Sequence, residues 1–386
     1  MKILIVGDSV GGLTAVRELG SSGWRVGLGS PSRLGLIGLS RWIDNWHRVP
    51  PPLGNLEGFI TGINDAVEEY QYEILLGAGE AEVLALSAVR SRLAARVPYT
   101  SHENVVRGFD KLEFQAVARN AGLCTPLTQP ANADSLESFA LPVVVKARLH
   151  WTPGSSHKRV KVAISWSRED ALEQAARIRS IGAEPLFQEY VSGSVLHFVA
   201  LCDEASKIIS RVVHVTTHLG VSEAGQSARA QVIRADSKLE RGVQAFLAEI
   251  EWFGLADLQF WMPDDGEPLL TDFNGRIYGA LALPHAAGMR AVDTWARLAT
   301  GRETAAPLPV KSGVRYQALE GDLRRALSLA GTRRIRGVID CAAHSFSSCH
   351  PVLCWTDPLP TVGYLTRLAT RLARRATHRR RADQVP

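Results

Sequence analysis

The 386-residue sequence predicts an α/β chain of three folded parts and a basic tail, on the strength of three observations. Short apolar runs alternate with helical spacing through the first hundred residues, as in a doubly wound sheet. A second strand-and-helix series, with its own turns, begins near Val97-Pro98, and the stretch from Asp257 to Arg276 reads as two adjacent strands joined by a polar turn. The expected organisation is a leading domain at 1–96, a central body at 97–302, a small mixed module at 303–360 and a helical tail at 361–386.

Taken in order, Lys2 to Val6 is a strand, Gly7 to Gly12 a tight turn, Leu13 to Gly20 a helix and Trp24 to Leu28 a second strand. A loop rich in Gly, Pro and Arg runs to the stiff stretch Val49-Pro-Pro-Pro52. Tyr72 to Gly77 reads as a buried strand and Glu80 to Leu93 as a helix. Beyond Pro98, Asp110 to Ala121 has helical spacing and stops at Gly122. Leu141 to Ala147 is a strand, and Asp170 to Ile181 is a helix with Ser167 as its N-cap. Strands follow at Leu186 to Val191, Ser194 to Leu201, Lys207 to Val215 and Leu258 to Met262, with a helix at Ser237 to Ile250. The connector Glu303 to Val310 leads into the small module.

Composition bounds the function class. An apolar fraction of 46% and a charged fraction of 22% describe an ordinary globular chain. The longest apolar runs fall far short of the roughly 20 residues of a membrane span, and Met1 to Val6 reads as a buried strand rather than a signal peptide, so the cytoplasm is the expected location. Five cysteines make no disulfide framework, and Cys341, Cys349 and Cys354, despite His344 and His350 nearby, lack zinc-site spacing. The formal charge of +5 is uneven: 361–386 carries seven arginines against Asp383, leaving the rest near −1. A specific nucleic-acid interface is therefore not expected on the body. The tail, with Leu365, Leu368 and Leu372 on one stripe, is expected to be a solvated helix of about four turns, bounded by Gly363 and Thr377-His378. Contact with an anionic membrane or a protein partner is its alternative role.

The hairpin carries the chemistry. Gln259 and Asp272 are placed side by side across the turn Pro263-Asp-Asp-Gly-Glu267, and Asp272 and Asn274 project from one face of the second strand. Such oxygen donors suit magnesium, or manganese, shared with nucleotide phosphates. A strand-end lysine, Lys146 behind Leu141-Pro-Val-Val-Val145, and a helix-opening lysine, Lys111, are suitable point charges for those phosphates.

With these elements in order, the region from about 100 to 300 resembles the ATP-grasp superfamily. The resemblance is carried by Asp110-Lys111, Gly122-Leu-Cys-Thr-Pro126, the strand ending in Lys146 and the loop His150-Trp-Thr-Pro-Gly-Ser-Ser-His-Lys158. Gln188-Glu-Tyr-Val-Ser-Gly193 and Asp272-Phe-Asn-Gly-Arg276 complete it. It implies an ATP-grasp fold behind a Rossmann-like pre-ATP-grasp domain, with ATP and magnesium as cofactors. It implies nucleotide contacts from Lys111, Lys146, Gln188, Glu189 and the backbone at Val191, and metal ligands Gln259, Asp272 and Asn274. Arg276 would stabilise the transferring phosphoryl group, and Arg229 and Arg211 lie where relatives hold a substrate carboxylate. Three positions depart from the pattern: Gln259 and the shorter Asp272 stand where glutamates are usual, and no acid stands near Ser194 for the ribose hydroxyls.

The activity implied is an ATP-dependent carboxylate–amine ligase working through an acyl phosphate on small-molecule acids and amines; a homodimer is compatible with it. A carboxylase or carbamoyl-phosphate-type reaction and a non-catalytic nucleotide-binding module are the alternatives. The turn Gly7-Asp-Ser-Val-Gly-Gly-Leu13 also suggests an FAD-binding fingerprint or a nucleophile elbow. The first lacks its ribose acid at Leu28-Gly-Ser-Pro31, and the second does not belong after a first strand, so a Gly-rich Rossmann-like turn is the better reading.

Overall fold

A computed structural model describes residues 1–154, 161–220, 227–264, 266–306 and 308–382, with side chains of the last helix to Arg371. The first unit comprises β1 (Lys2–Val6), α1 (Val10–Ser21), β2 (Arg25–Ser30), β3 (Asn45–Arg48), α2 (Leu56–Tyr70), β4 (Ile74–Gly77) and α3 (Glu80–Ala88). Its strands pair in parallel in the order β3-β2-β1-β4. Strand β3 and helix α2 are additions to the sequence reading. Asn45-Trp-His-Arg48 is an edge strand with only His47 buried, so no apolar run announces it. Helix α2 is capped by Asn55 and buries Phe59, Ile60, Ile63, Ala66 and Val67 on one face. The turn after β1 is shorter than expected, because Ser9 caps α1 by accepting a hydrogen bond from the Gly12 amide at 3.0 Å. Asp8 accepts from the Leu36 and Ile37 amides, each at 2.9 Å. Both polar side chains of the turn thus serve the backbone.

The second unit holds α4 (His102–Phe109), α5 (Glu113–Asn120), β5 (Thr128–Pro130), α6 (Ala133–Leu136), β6 (Val143–Ala147), β7 (Ala163–Ser165), α7 (Arg168–Ser180) and β8 (Pro185–Glu189). Its antiparallel sheet runs β5-β8-β6-β7. Val143, Val145 and Phe187 pack with Ala171, Ala175 and Ile178 in a core of their own. Ser167 caps α7 as expected, accepting from the Asp170 amide at 3.1 Å.

The third unit begins with β9 (Ser194–Cys202), β10 (Ile208–Leu219), β11 (Ser227–Ile233), α8 (Ser237–Glu249), β12 (Gly254–Met262) and β13 (Leu269–Asn274). There follow α9 (Ala282–Ala286), α10 (Ala291–Ala299), β14 (Arg315–Gln317), α11 (Leu319–Ser328), α12 (Gly331–Ser345) and α13 (Pro358–Ala382). Six strands form an antiparallel sheet in the order β13-β12-β9-β10-β11-β14, so a strand from beyond residue 303 completes the sheet of the central body. This sheet and the first one share one continuous buried cluster. Glu18, fully buried in α1, ties them: it accepts from the Val292 and Asp293 amides, each at 2.8 Å, at the start of α10, and meets His285 Nδ1 at 3.0 Å. A carboxylate there satisfies helix-end amides and complements the dipole.

The tail differs from a solvated end. Helix α13 starts before Gly363 and passes through Thr377-His378. Asp357 precedes it, fully buried, and accepts from Arg17 Nε at 2.9 Å, Ser40 Oγ at 2.8 Å and the Arg41 amide at 2.9 Å. A Cβ at Gly363 would stand 2.7 Å from Leu39 Cδ1, so the glycine lets the helix lie against the first unit. Leu368 is buried, the Tyr364 hydroxyl accepts from the Glu320 amide at 3.0 Å, and Arg371 pairs with Glu320 at 3.1 Å. Leu365 stays exposed, and the Leu372 side chain lies outside the described residues. The tail begins as part of the fold because the Asp357 anchor and Leu368 bind it to the body.

Leu368→Ala should therefore cost about 2–3 kcal/mol and lower the melting temperature by several degrees. Removing 373–386 should leave the melt within about a degree. Thermal denaturation of both proteins checks this; an unchanged melt for Leu368→Ala would return the tail to solvent.

Candidate active site

The site is assembled where the four-stranded sheet faces the β12–β13 hairpin. Alternation along β6 sends Val143, Val145 and Ala147 into the core under α7 and turns Val144 and Lys146 to the other face, with Gln188 opposite Val144. Lys146, 4% exposed, donates from Nζ to Gln188 Oε1 and to the Thr271 carbonyl oxygen, each at 3.0 Å. Gln188 is held in turn, donating from Nε2 to Thr128 Oγ1 at 2.8 Å. Burial lowers the Lys146 ammonium to about 7; Asp272 opposes the shift and the Lys111 charge adds to it.

Lys111 reaches this region from a break that the sequence reading did not expect. The helix expected over 110–121 is α5, which opens at Glu113; the unexpected α4 ends at Phe109, and between them Asp110 Oδ1 accepts from the Leu112 amide at 2.9 Å and the Glu113 amide at 3.3 Å. Arg148 Nε donates to both Asp110 oxygens, at 2.9 and 2.7 Å. Lys111, buried, donates to the Arg148 carbonyl at 3.5 Å.

On the hairpin, Gln259 pairs with Asp272 and Asp257 with Asn274, so these four side chains share one face. Register slips by one beyond Gln259, whose neighbour Phe260 pairs with Leu270. Thr271 is thus a bulge residue, and its carbonyl is free of the ladder to accept from Lys146. Among the described residues no hydrogen bond or ion pair occupies the side chains of Gln259 or Asp272. Asn274 accepts on Oδ1 from Arg276 Nη2 at 3.0 Å and donates from Nδ2 to Asp257 Oδ2 at 3.3 Å. Arg276 also donates from Nη1 to the Ile277 carbonyl at 3.0 Å and lies in the field of Glu82 of α3, whose carboxyl burial raises above its usual range.

Three residues of this face were not identified from the sequence. Asp257, 1% exposed, accepts from His197 Nδ1 at 2.9 Å; a carboxylate only accepts, so the hydrogen is on that nitrogen. His197 stands beside Gln259 in register and stacks on His214, with ring centroids 4.6 Å apart. Burial, and then the neighbouring His197, push His214 well below the usual imidazole range, which keeps it neutral. The alternation of 257 with 259 was the available signal for Asp257. Nothing local announces the histidines, because pairing of β9 with β12 and β10 brings them in.

The remaining expected residues scatter. Glu189 ends β8, exposed, and accepts from the Leu127 amide at 3.2 Å. Val191 lies half-buried in the connector between the two sheets, followed by Gly193 at φ 137°, where a Cβ would meet the Met262 carbonyl oxygen at 1.9 Å. Arg211 is a correction. It pairs with Ala200 on the face opposite His214 and Gln259, and it binds Glu240 of α8 at 2.8 Å, away from the cleft. Arg229 is a second correction: buried, it is held by Asp322 at 2.7 Å and Asp340 at 2.7 Å, so carboxylates from α11 and α12 neutralise it. Of the loop at 150–158, Trp151 is buried, while Ser155, Ser156, His157 and Lys158 lie outside the described residues, as do Gly225, Gln226 and Asp265.

The lysine shift carries a stability signature. The folded value near 7 lies below the unfolded value of about 10.4. Folded protein therefore binds fewer protons between them, and the penalty is full below pH 7 and relieved as pH rises toward 10. Relative to Lys146→Met, the native protein should gain on the order of a few kcal/mol between pH 7 and 10, measured by denaturant titration. Parallel pH profiles of the two proteins would show that Lys146 is solvated.

No protein-family model and no curated protein sequence matches the chain. Solved structures do. The biotin carboxylase domain dimer of Hydrogenobacter thermophilus 2-oxoglutarate carboxylase, in complex with MgADP, ADP and bicarbonate, is 13% identical with a TM-score of 0.64, covering 81% of this chain and 73% of its own. N5-carboxyaminoimidazole synthetase from Staphylococcus aureus is 13% identical with a TM-score of 0.65, covering 85% and 84%. L-amino acid ligase from Bacillus licheniformis is 13% identical with a TM-score of 0.60, covering 81% and 78%.

Proposed function

From the premise that this chain carries the ATP-grasp fold, we propose that it is an ATP-dependent carboxylate–amine ligase. One observation carries the reading: the buried Lys146 bridges the small sheet and the bulged hairpin, beside the opposed oxygens of Gln259 and Asp272. The neighbours include a ligase and carboxylating enzymes, several of them in complex with ADP, MgADP or beta-gamma-ATP.

The residues present fit a divalent cation. Gln259 Oε1 and the Asp272 carboxylate face each other without internal partners among the described residues, and the Asn274 amide oxygen keeps a lone pair beyond its bond to Arg276. A bound magnesium ion would neutralise charge on the nucleotide phosphates. Asp257, oriented by His197, fixes the Asn274 amide with its oxygen toward Arg276 and the hairpin face.

The reaction proposed has two steps. A substrate carboxylate oxygen attacks the γ-phosphorus of ATP, the bond to the β-phosphate oxygen breaks, and ADP leaves with the electron pair. The amine nitrogen then attacks the carbonyl carbon of the acyl phosphate, losing its proton as the amide forms and phosphate departs. Lys146 and Lys111 hold the phosphates, Arg276 offsets charge on the transferring group, and Glu189 with the Val191 backbone receives the adenine. Bicarbonate as the acid is the second reading, favoured by the carboxylating enzymes among the neighbours. ADP release measured with bicarbonate and with panels of carboxylic acids and amines separates the two. No ADP release with any acid would leave a nucleotide-binding module.

Lys146→Ala should raise the ATP dissociation constant tenfold or more, as expected for loss of a charge-assisted contact of roughly 1.5–3 kcal/mol. Since Lys146 sits near 7 in the free protein, ATP binding above pH 7 should take up a proton and weaken by up to about tenfold per pH unit. Calorimetry in buffers of different ionisation enthalpy reads that proton directly. Unchanged affinity in a folded Lys146→Ala protein would remove the lysine from the site.

At the hairpin, Asp272→Asn should abolish turnover with the melt nearly intact, because Asp272 is half-buried and makes no internal hydrogen bond among the described residues. Gln259→Glu should lower the magnesium concentration for half-maximal ADP production. If Asp272→Asn keeps most of its ADP release, the cation lies elsewhere.

A further inference from the structure

Charge and exposed apolar surface are segregated in the same part of this chain. Residues 331–386 hold ten arginines against Asp340, Asp357 and Asp383, a formal +7, so the other 330 residues sum to −2. Of those three acids, Asp357 is buried against Arg17, and Asp340, though exposed, is paired with Arg229. The same segment shows Phe346 at 94% and Trp355 at 100% exposure. On α12, Ile335 and Ile339 lie at i and i+4 on one stripe, which Phe346 continues at the helix C-cap, with exposed Arg336 beside it. On α13, Leu359, Val362 and Leu365 follow at steps of three, all exposed, ahead of the arginine run.

We propose that the α12–α13 segment is a docking surface for an anionic phospholipid bilayer. Aromatic and aliphatic side chains enter the headgroup boundary while arginines meet the lipid phosphates, the pattern of interfacial amphipathic segments. Charge decides between occupants. A symmetric second copy would bring the same +7 surface against itself, since a two-fold interface pairs one patch with its own image. Nucleic acid would satisfy the arginines and leave the aliphatic stripes of α12 and α13 in water. No described helix is long and apolar enough to cross a membrane, so the contact lies in the interface plane. This inference is independent of the activity read from the cleft.

The test uses the full chain with sucrose-loaded vesicles of phosphatidylcholine alone or with about one quarter phosphatidylglycerol, at 0.1 M and 0.5 M salt (~10 Å and ~4–5 Å screening). Binding is expected to the anionic vesicles alone, lost at high salt, and at least tenfold weaker for Phe346→Ser/Trp355→Ser and for Arg379→Ser/Arg380→Ser/Arg381→Ser. No sedimentation of the native chain with anionic vesicles overturns the proposal, whatever the variants do. So does equal binding to neutral vesicles, or full binding by the aromatic double variant. Sedimentation velocity showing a dimer that Phe346→Ser/Trp355→Ser dissociates would reassign the face to self-association. Tighter binding of a random-sequence RNA, indifferent to the two aromatic residues, would reassign it to nucleic acid.

Discussion

A buried ammonium between two sheets sets the geometry on which the cleft depends. Lys146 leaves one sheet and ends on a side-chain oxygen of that sheet and a backbone oxygen of the other, with almost no solvent around it. Both acceptors are neutral, so the lysine is hydrogen-bonded but its charge is under-compensated, and burial dominates its proton affinity. A phosphate arriving there would supply the missing countercharge. The free protein thus holds an under-compensated buried charge at this point.

Around that cleft the larger body is tied together by carboxylates placed at helix starts. Glu18 closes the N-terminus of α10, and Asp357 precedes α13 while gathering Arg17, Ser40 and the Arg41 amide. Each joins the first unit to an element far away in sequence, and the first sheet and the six-stranded sheet consequently share one core. The four-stranded sheet keeps a separate core and meets the rest through the connector at Gly193 and across Lys146. Two packed bodies with a polar seam between them are suited to admitting and covering a ligand.

The floor of the seam is a hydrogen-bonded series from His197 through Asp257 and Asn274 to Arg276, which then faces Glu82 of the first unit. Its members come from β9, β12, β13 and the loop after it, and every link fixes the next. An amide at position 274 can present oxygen or nitrogen to the hairpin face; Asp257 behind it leaves the oxygen outward. The first unit therefore reaches this series through Glu82, though it lends no residue to the expected nucleotide contacts.

Order and type of most elements were legible, because a nearly continuous apolar run such as Ser194–Cys202 and a helical spacing such as that of Ser237–Glu249 announce themselves in the sequence. So was the facing of Gln259 and Asp272, which follows from a turn and a period of two. Legibility failed where a residue's meaning is fixed by something distant. Arg211 and Arg229 read alike as strand arginines, yet one faces α8 and the other meets acids that enter from beyond residue 303. The edge strand β3 has too little buried surface to mark it, and Arg148, which holds Asp110 between α4 and α5, comes from far along the chain. By itself the sequence determined which lysines and oxygen-bearing side chains stood as candidates for phosphate and metal, since residue type and local alternation are properties of the chain. Which of them share one cleft was decided by tertiary structure: strand pairing, one bulge at Thr271 and the burial of Lys146 are contacts between segments that no local pattern encodes.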